Sequence, residues 1–197
     1  MVACVCSTWR YCLSLARTIA GNLTPIGIVA PPRILAGTAH VIPGFHVPLQ
    51  EQTNWCWAAV AKGIAARSGA VWQQCNIAGL ELGQQCCPAG TNPAPCNVAY
   101  YLDRALTRVG HYRSLLGRAA ILASEVIPEI NANRPVGVRI GWSNGGGHFI
   151  AIAGYSTNGG PFVDVEDPWY SASTITYAVL QSAYKGRGTW THTYWTT

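Results

Sequence analysis

The hydrophobic positions of residues 56–69 repeat with the period of an α-helix. Gly69 is placed to end this helix, and Thr53 and Asn54 are residue types that cap helix starts. Cys56 therefore falls in the first turn. The buried face of the predicted helix follows the i, i+3, i+4, i+7 spacing and consists of Trp57, Val60, Ala61 and Ile64.

The same period predicts two further helices downstream. One covers Val98–Val109, with Asn97 as its cap and Gly110 as its end. The other covers Ser124–Asn131, and Pro128 inside this span bends or shortens it. We interpret both as packing helices.

From residue 135 the pattern changes to short runs of β-branched or aromatic residues, separated by Gly, Asn or Pro turns. Such runs predict an antiparallel sheet, and helices followed by strands predict an α+β domain. A further short strand is expected at 44–47, in an extended, proline-rich segment. The predicted strands of the sheet are 136–142, 148–155, 161–167, 173–180 and 189–195.

A length of 197 residues suits one domain with a terminal extension. We predict a leader or extended arm over residues 1–42 and a folded domain over 43–197, with a cysteine-rich insert at 71–96. The first residues are apolar, but Arg10 and Arg17 interrupt them. They therefore make a poor signal peptide and are too broken to span a membrane. A leader, a propeptide remnant or an extension without its own fold would all fit.

Composition narrows the classes of function. Hydrophobic residues make up 49% and charged residues 11%, which excludes disorder over the main body. The net charge is +5, but the basic residues are scattered, so we expect no nucleic-acid partner. Because no phosphate loop, cofactor motif or metal motif is visible, we expect no cofactor and no metal. We also expect a monomer.

Four of the eight cysteines, Cys75, Cys86, Cys87 and Cys96, crowd into the insert. They lack the CxxC spacing of structural zinc, which favours disulfides, an oxidising compartment and a secreted protein. Adjacent Cys86 and Cys87 are unsuited to pair with each other. Two pairings stay open, namely Cys75–Cys86 with Cys87–Cys96, or the crossed alternative.

Cys56, between Trp55 and Trp57, has the setting of a thiol nucleophile. At a helix start, unpaired amides and the helix dipole stabilise the reactive thiolate. The alternative is a buried structural thiol. Catalysis would also need a base, a group that orients the base, and donors for the oxyanion.

His148 is the best candidate for the base, because it opens a strand directly after the turn SNGGG. His40 and His46 lie in the proline-rich arm and are less suited. Asp167 ends the neighbouring strand, where it can orient the imidazole, and Trp169 can cover the pair from water. The simpler alternatives are that His148 only starts a buried strand and that Asp167 is only the turn residue of an Asp-Pro pair.

These residues, in NWCWAA, GGGHFIAIAGY and VEDPW, resemble the papain-like cysteine proteases, above all their bacterial branch of staphopains and papain-like effector proteases. The similarity covers Val47–Tyr170. It implies a papain-like domain in which the nucleophile helix packs on a C-terminal antiparallel sheet. It also implies an oxyanion donor six residues before the nucleophile, at Gln50, with Gln52 as the nearer rival.

The resemblance implies a cysteine endopeptidase with Cys56, His148 and Asp167 as its triad and peptides or proteins as its substrates. Asp167 departs from the Asn of papain itself, and TNWCW replaces the family's GSCW. Two alternatives stay open. One is an amidase or acyltransferase on the same scaffold, acting on cell-wall peptides or cross-linking amines. The other is a catalytically silent binding or toxin-associated domain.

Overall fold

A computed structural model describes residues 37–88 and 93–197. Within these residues, seven strands form one antiparallel sheet in the order β2-β7-β3-β4-β5-β6, and β1 pairs with the far end of β4. The strands are β1 (Ala39–Val41), β2 (Tyr112–Leu116), β3 (Val136–Trp142), β4 (Gly147–Ser156), β5 (Phe162–Glu166), β6 (Ser173–Thr176) and β7 (Gly188–Thr196).

Helices pack against this sheet, which confirms the predicted α+β fold. They are α1 (Cys56–Ala66), α2 (Gln74–Leu82), α3 (Pro93–Cys96), α4 (Leu102–Arg108), α5 (Ile127–Asn131) and α6 (Tyr177–Ser182), with a π-helical turn at Leu122–Val126. No helix in the described part of the chain is long and apolar enough to cross a membrane.

The first helix, α1, lies between β4 on one side and α2 and α4 on the other. Its predicted apolar face, Trp57 to Ile64, is fully buried. The predicted caps were wrong, because the N-cap position is Trp55 and no side chain caps the helix. Asn54 instead bonds the segment before α4, so its side chain serves a tertiary contact.

The helix predicted at Val98–Val109 starts four residues late, at Leu102. Its predicted cap, Asn97, turns towards the loop before α1 and bonds Thr53 and Asn54. Because that side chain holds another segment, the chain stays extended up to Tyr101, the N-cap position of α4. The predicted end is confirmed, since Gly110 has a φ of 81° and donates to the Thr107 carbonyl.

The helix predicted at 124–131 is a π-helical turn followed by α5, and Pro128 lies in the first turn of α5, where it needs no backbone N–H. The strand predicted at 44–47 was also wrong. The pairing segment is β1 at 39–41, whereas 44–47 has no regular structure. The prediction of a leader over residues 1–42 stays a prediction, and residues 1–36 lie outside the described part.

Two more differences concern the sheet. The strand predicted at 173–180 is split, because Thr176 caps α6 through a hydrogen bond from the Val179 N–H and ends β6. Strand β2, which pairs with β7, has no counterpart among the predicted strands. Buried and exposed residues do not alternate along β2, so its sequence carries only a weak strand signal.

In the insert at 71–96, the crossed disulfide pairing is the one formed. Cys75 bonds Cys87 and Cys86 bonds Cys96. The insert also contains α2 and α3. The second disulfide fixes Cys96 directly before the segment that contacts the start of α1.

Candidate active site

The helix half of the candidate site is the start of α1. Cys56 is its first residue, is 8% exposed, and is free of any disulfide. The first N–H groups of a helix have no intrahelical acceptor, so Cys56 lies at the turn of α1 where backbone N–H groups are left to bind other acceptors. The flanking tryptophans fix this turn, because Trp55 donates to the Cys96 carbonyl (2.7 Å) and Trp57 to the Val98 carbonyl (3.1 Å).

The sheet half is built from the adjacent ends of β4 and β5. Their register pairs Ala151 with Glu166, so Asp167 falls opposite Ile150 and diagonal to His148 on the same face. His148 Nε2 lies 2.8 Å from Asp167 Oδ1. The turn before His148 requires φ values of 92° and 78° at Gly145 and Gly146, as the glycine run predicts.

Asp167 is buried, and its carboxylate is saturated with hydrogen bonds. Oδ1 also accepts the N–H groups of Trp169 (2.7 Å) and Tyr170 (2.9 Å), and Oδ2 accepts the hydroxyl of Tyr184 (2.5 Å). Burial alone would raise the pKa of Asp167, but hydrogen bonding to His148, the charge of His148 and the Tyr184 hydroxyl lower it overall. The carboxylate is therefore held charged.

His148 bonds Asp167 through Nε2 and lies in the same cleft as Cys56. Burial alone would lower the pKa of His148, but the hydrogen bonds and charges of Asp167 and Cys56 raise it to about 9. The imidazole is therefore held protonated near neutral pH.

Aromatic rings enclose the imidazole. Trp142 stacks on His148 with ring centres 6.1 Å apart, and Tyr170 meets it edge-on at 6.3 Å. Trp169, the predicted covering residue, lines the same cleft and is half exposed. Trp142, Tyr170 and Tyr184 were missed by the sequence analysis, because no local pattern separates them from ordinary aromatic residues of the sheet and its loops.

Gln50 lies in the cleft with Cys56 and His148, but its amide is already occupied. Nε2 donates to the carbonyls of Gln52 and Thr53, both at 2.8 Å. Its Oε1 is buried and has no hydrogen-bond partner within the described residues. The Gln50 backbone N–H donates to the Pro168 carbonyl at 2.9 Å, which joins the helix half to the loop after Asp167.

Two amide side chains outside the predicted set hold the loop that carries Gln50. Gln74 of α2 is fully buried, donates to the Leu49 carbonyl (2.7 Å) and accepts the Glu51 N–H (3.0 Å). Asn97 accepts the Asn54 N–H at 2.9 Å and donates to Thr53 Oγ1 at 2.8 Å. Both contacts join residues more than 20 positions apart, which no local periodicity reveals.

A cleft of about 260 Å³ is lined by Gln50, Cys56, Trp142, His148, Trp169 and Tyr170, and it also includes Ala99 and Arg187. The rejected histidines lie elsewhere, since His40 bonds Asn133 and His46 bonds Glu166. In residues 37–88 and 93–197, no three His, Cys, Asp or Glu side chains are grouped to hold a metal ion.

A cysteine at a helix start, packed on an antiparallel sheet that presents a His–Asp pair to it, defines the papain-like type of cysteine peptidase fold. The family model described as the Peptidase_C39 like family matches residues 45–195, and the chain belongs to this family. Membership indicates cysteine peptidase activity and a peptide or protein substrate. The comparison with curated proteins gave no match.

Proposed function

We propose that the protein is a cysteine endopeptidase in which Cys56 is the nucleophile, His148 the general base and acid, and Asp167 the group that orients the imidazole. The His148–Asp167 hydrogen bond, in one cleft with the free Cys56 thiol, is the observation that carries this proposal. The order of its site residues along the sequence resembles that of the bacterial papain-like proteases.

In the first step the Cys56 thiolate attacks the carbonyl carbon of the scissile peptide bond. The His148 imidazolium then gives its proton to the leaving nitrogen, and the carbon–nitrogen bond breaks to leave a thioester. In the second step His148 removes a proton from water, and the resulting hydroxide releases the acyl group. Asp167 stabilises the imidazolium in both steps, because its carboxylate stays charged and buried.

The developing oxyanion would be held by the Cys56 backbone N–H and by Gln50. To take this role, Gln50 must direct towards the oxyanion an Nε2 hydrogen that it now donates to the carbonyl of Gln52 or Thr53. The buried, unpaired Oε1 shows that this amide is not fully satisfied in its present position. A rotation of the side chain on substrate binding would break one of these two Nε2 hydrogen bonds, and the bond to the oxyanion would have to offset that loss.

The two disulfides support secretion into an oxidising compartment. We also propose that the protein acts as a monomer, since one chain supplies the whole series of reacting groups.

The test is hydrolysis of a mixed peptide library by the wild-type protein and by Cys56→Ala, with products identified by mass spectrometry. We expect cleavage only by the wild type, together with a thioester adduct on Cys56 after rapid acid quenching. Cleavage by Cys56→Ala would contradict the proposal. Products joined to an added amine instead of water would assign an acyltransferase, and an absence of any product would favour a silent binding domain.

A further inference from the structure

The turn at 185–187 lies directly beside the candidate triad. Tyr184, whose hydroxyl bonds Asp167, also pairs with Gly188 across this turn. A Cβ at Gly188 would lie 2.5 Å from Cγ2 of Ile140 and 2.7 Å from Cζ3 of Trp142, so only glycine allows the turn to approach this closely. The position of the turn is therefore fixed relative to Asp167 and Trp142.

This turn carries two exposed cations over aromatic rings. The guanidinium carbon of Arg187 lies 5.3 Å from the ring centre of Trp142, and Nζ of Lys185 lies 5.1 Å from that of Tyr170. Neither side chain forms a hydrogen bond or ion pair with any described residue. A guanidinium without a hydrogen-bond partner has its N–H groups free to bind a carboxylate with two hydrogen bonds.

The walls of the cleft contain no acidic side chain within the described residues, and Arg187 is the lining residue with a permanent charge. The charges of the His148 imidazolium and the Asp167 carboxylate beside it largely cancel each other. Arg187 therefore sets the sign of the field that a bound peptide meets.

The chemistry fixes which part of the substrate lies near Arg187. His148 must protonate the leaving nitrogen, so the leaving peptide extends past the imidazole. Trp142 and Tyr170 contact His148, and the two cations cover those same rings. An extended residue spans about 3.5 Å, so the cations lie within reach of the first three residues after the scissile bond.

We propose that Arg187, assisted by Lys185, binds a carboxylate on the leaving-group side of the substrate. The substrate class is then peptides that carry an acidic side chain, or their own free C-terminus, within three residues after the scissile bond. This inference rests on the proposed endopeptidase function and assigns its specificity.

The test compares three peptide pools that are randomised with uncharged residues and differ in one group. The first pool contains an internal Asp and an amidated C-terminus. The second has no Asp but a free C-terminal carboxylate, and the third has Asn in place of Asp and an amidated C-terminus. We expect the wild type to cleave the first or second pool about fivefold faster than the third, as befits an exposed charge pair. Which of the two is preferred identifies the source of the carboxylate.

The variants are Arg187→Glu and Arg104→Glu. The control, Arg104, is an exposed arginine of α4 that does not line the cleft, so both variants change the net charge equally. We expect Arg187→Glu to abolish or reverse the preference and Arg104→Glu to retain it. The preference should also weaken as salt is added, because salt screens exposed charges.

Binding of the same pools to Cys56→Ala is measured by tryptophan fluorescence. This measurement tests the carboxylate site separately from the proposed endopeptidase activity. Cleavage without a preference for carboxylates, or a preference that survives in Arg187→Glu, overturns the inference and leaves the endopeptidase intact. If no pool is cleaved, the proposed function fails. The carboxylate site then stands only if Cys56→Ala binds the acidic or free-carboxylate pool more tightly than the Asn pool, and Arg187→Glu removes this difference.

Discussion

The sheet half of the site, with His148 and Asp167, is held by charged hydrogen bonds to one buried carboxylate. The helix half, with Gln50 and Cys56, is held by neutral hydrogen bonds of amide and indole side chains that join it to distant segments. Hydrogen bonds to a buried charge are about twice as strong as neutral ones. We therefore expect the sheet half to be the more rigid, and the loop of Gln50 to adjust when substrate binds.

The largest effect is expected in the sheet half, from His148→Ala. Loss of the general base should reduce kcat/KM about 10³-fold, because no other described histidine lies in the cleft. The matched control is His46→Ala, which removes a surface bond to Glu166 and should leave kcat/KM near that of the wild type. A loss of less than about tenfold in His148→Ala would place the base elsewhere.

Gln50→Ala tests the helix half and should lower kcat about 100-fold, the usual cost of one oxyanion donor. Gln52→Ala changes the other candidate for the oxyanion donor and should have a much smaller effect on kcat. Melting temperatures of both variants are measured alongside the kinetics. A Gln50→Ala protein that melts early but turns over normally would show that Gln50 only supports its loop.

Asp167→Asn should reduce the free energy of unfolding by about 3 kcal/mol at neutral pH, since it removes one partner of a buried ion pair. Urea denaturation measures this change. The control is Asp164→Asn on the same hairpin, a half-buried carboxylate that accepts a bond from Thr174 and should cost about 1 kcal/mol. Equal losses of unfolding free energy in the two variants would contradict the inference that Asp167 is one partner of a buried ion pair.

The pH dependence of stability follows from the same pair. The pKa of His148 is raised from 6.5 to about 9, so its contribution is complete below 6.5 and is lost as the pH rises through about 9. The pKa of Asp167 is lowered from 3.8, so its contribution is present above 3.8 and is lost as the pH falls through the lower, folded value. Urea midpoints across pH should show both losses in the wild type, whereas Asp167→Asn should show no loss at acid pH from this pair and a smaller loss at high pH.

The smallest effect is expected for Asn97→Ala, which removes neutral hydrogen bonds to Thr53 and Asn54. It should cost about 1 kcal/mol of unfolding free energy and lower the rate modestly. Asn158→Ala, in a surface turn, is the control for loss of an amide. A loss in Asn97→Ala as large as that in Asp167→Asn would contradict the difference between the halves.

The sheet half could be predicted because its geometry is local. Strands β4 and β5 are joined by a short turn, and alternation along them sets which residues share a face. The positions of His148 and Asp167 at neighbouring strand ends follow from that register. The α+β class and the burial of one face of α1 follow equally from periodicity.

The supports of the helix half could not be predicted, since they depend on contacts over long separations. Asn97 has the chemistry of a helix cap, and only the folded chain shows that it bonds the loop before α1 instead. The crossed disulfides likewise depend on how α2 orients the insert. Tyr184 reaches Asp167 only because α6 interrupts the predicted strand at 173–180 and carries the chain back to the site.

The most direct test is the rate of Cys56 alkylation by iodoacetamide as a function of pH, in the wild type and in His148→Ala. The labelled residue is identified by mass spectrometry, which separates Cys56 from the other cysteines. We predict that the wild type reacts well below the free-thiol pKa of about 8.5 and that His148→Ala loses this low-pH reactivity. An ordinary thiol profile that is the same in both proteins would contradict a thiolate–imidazolium pair at the centre of the site.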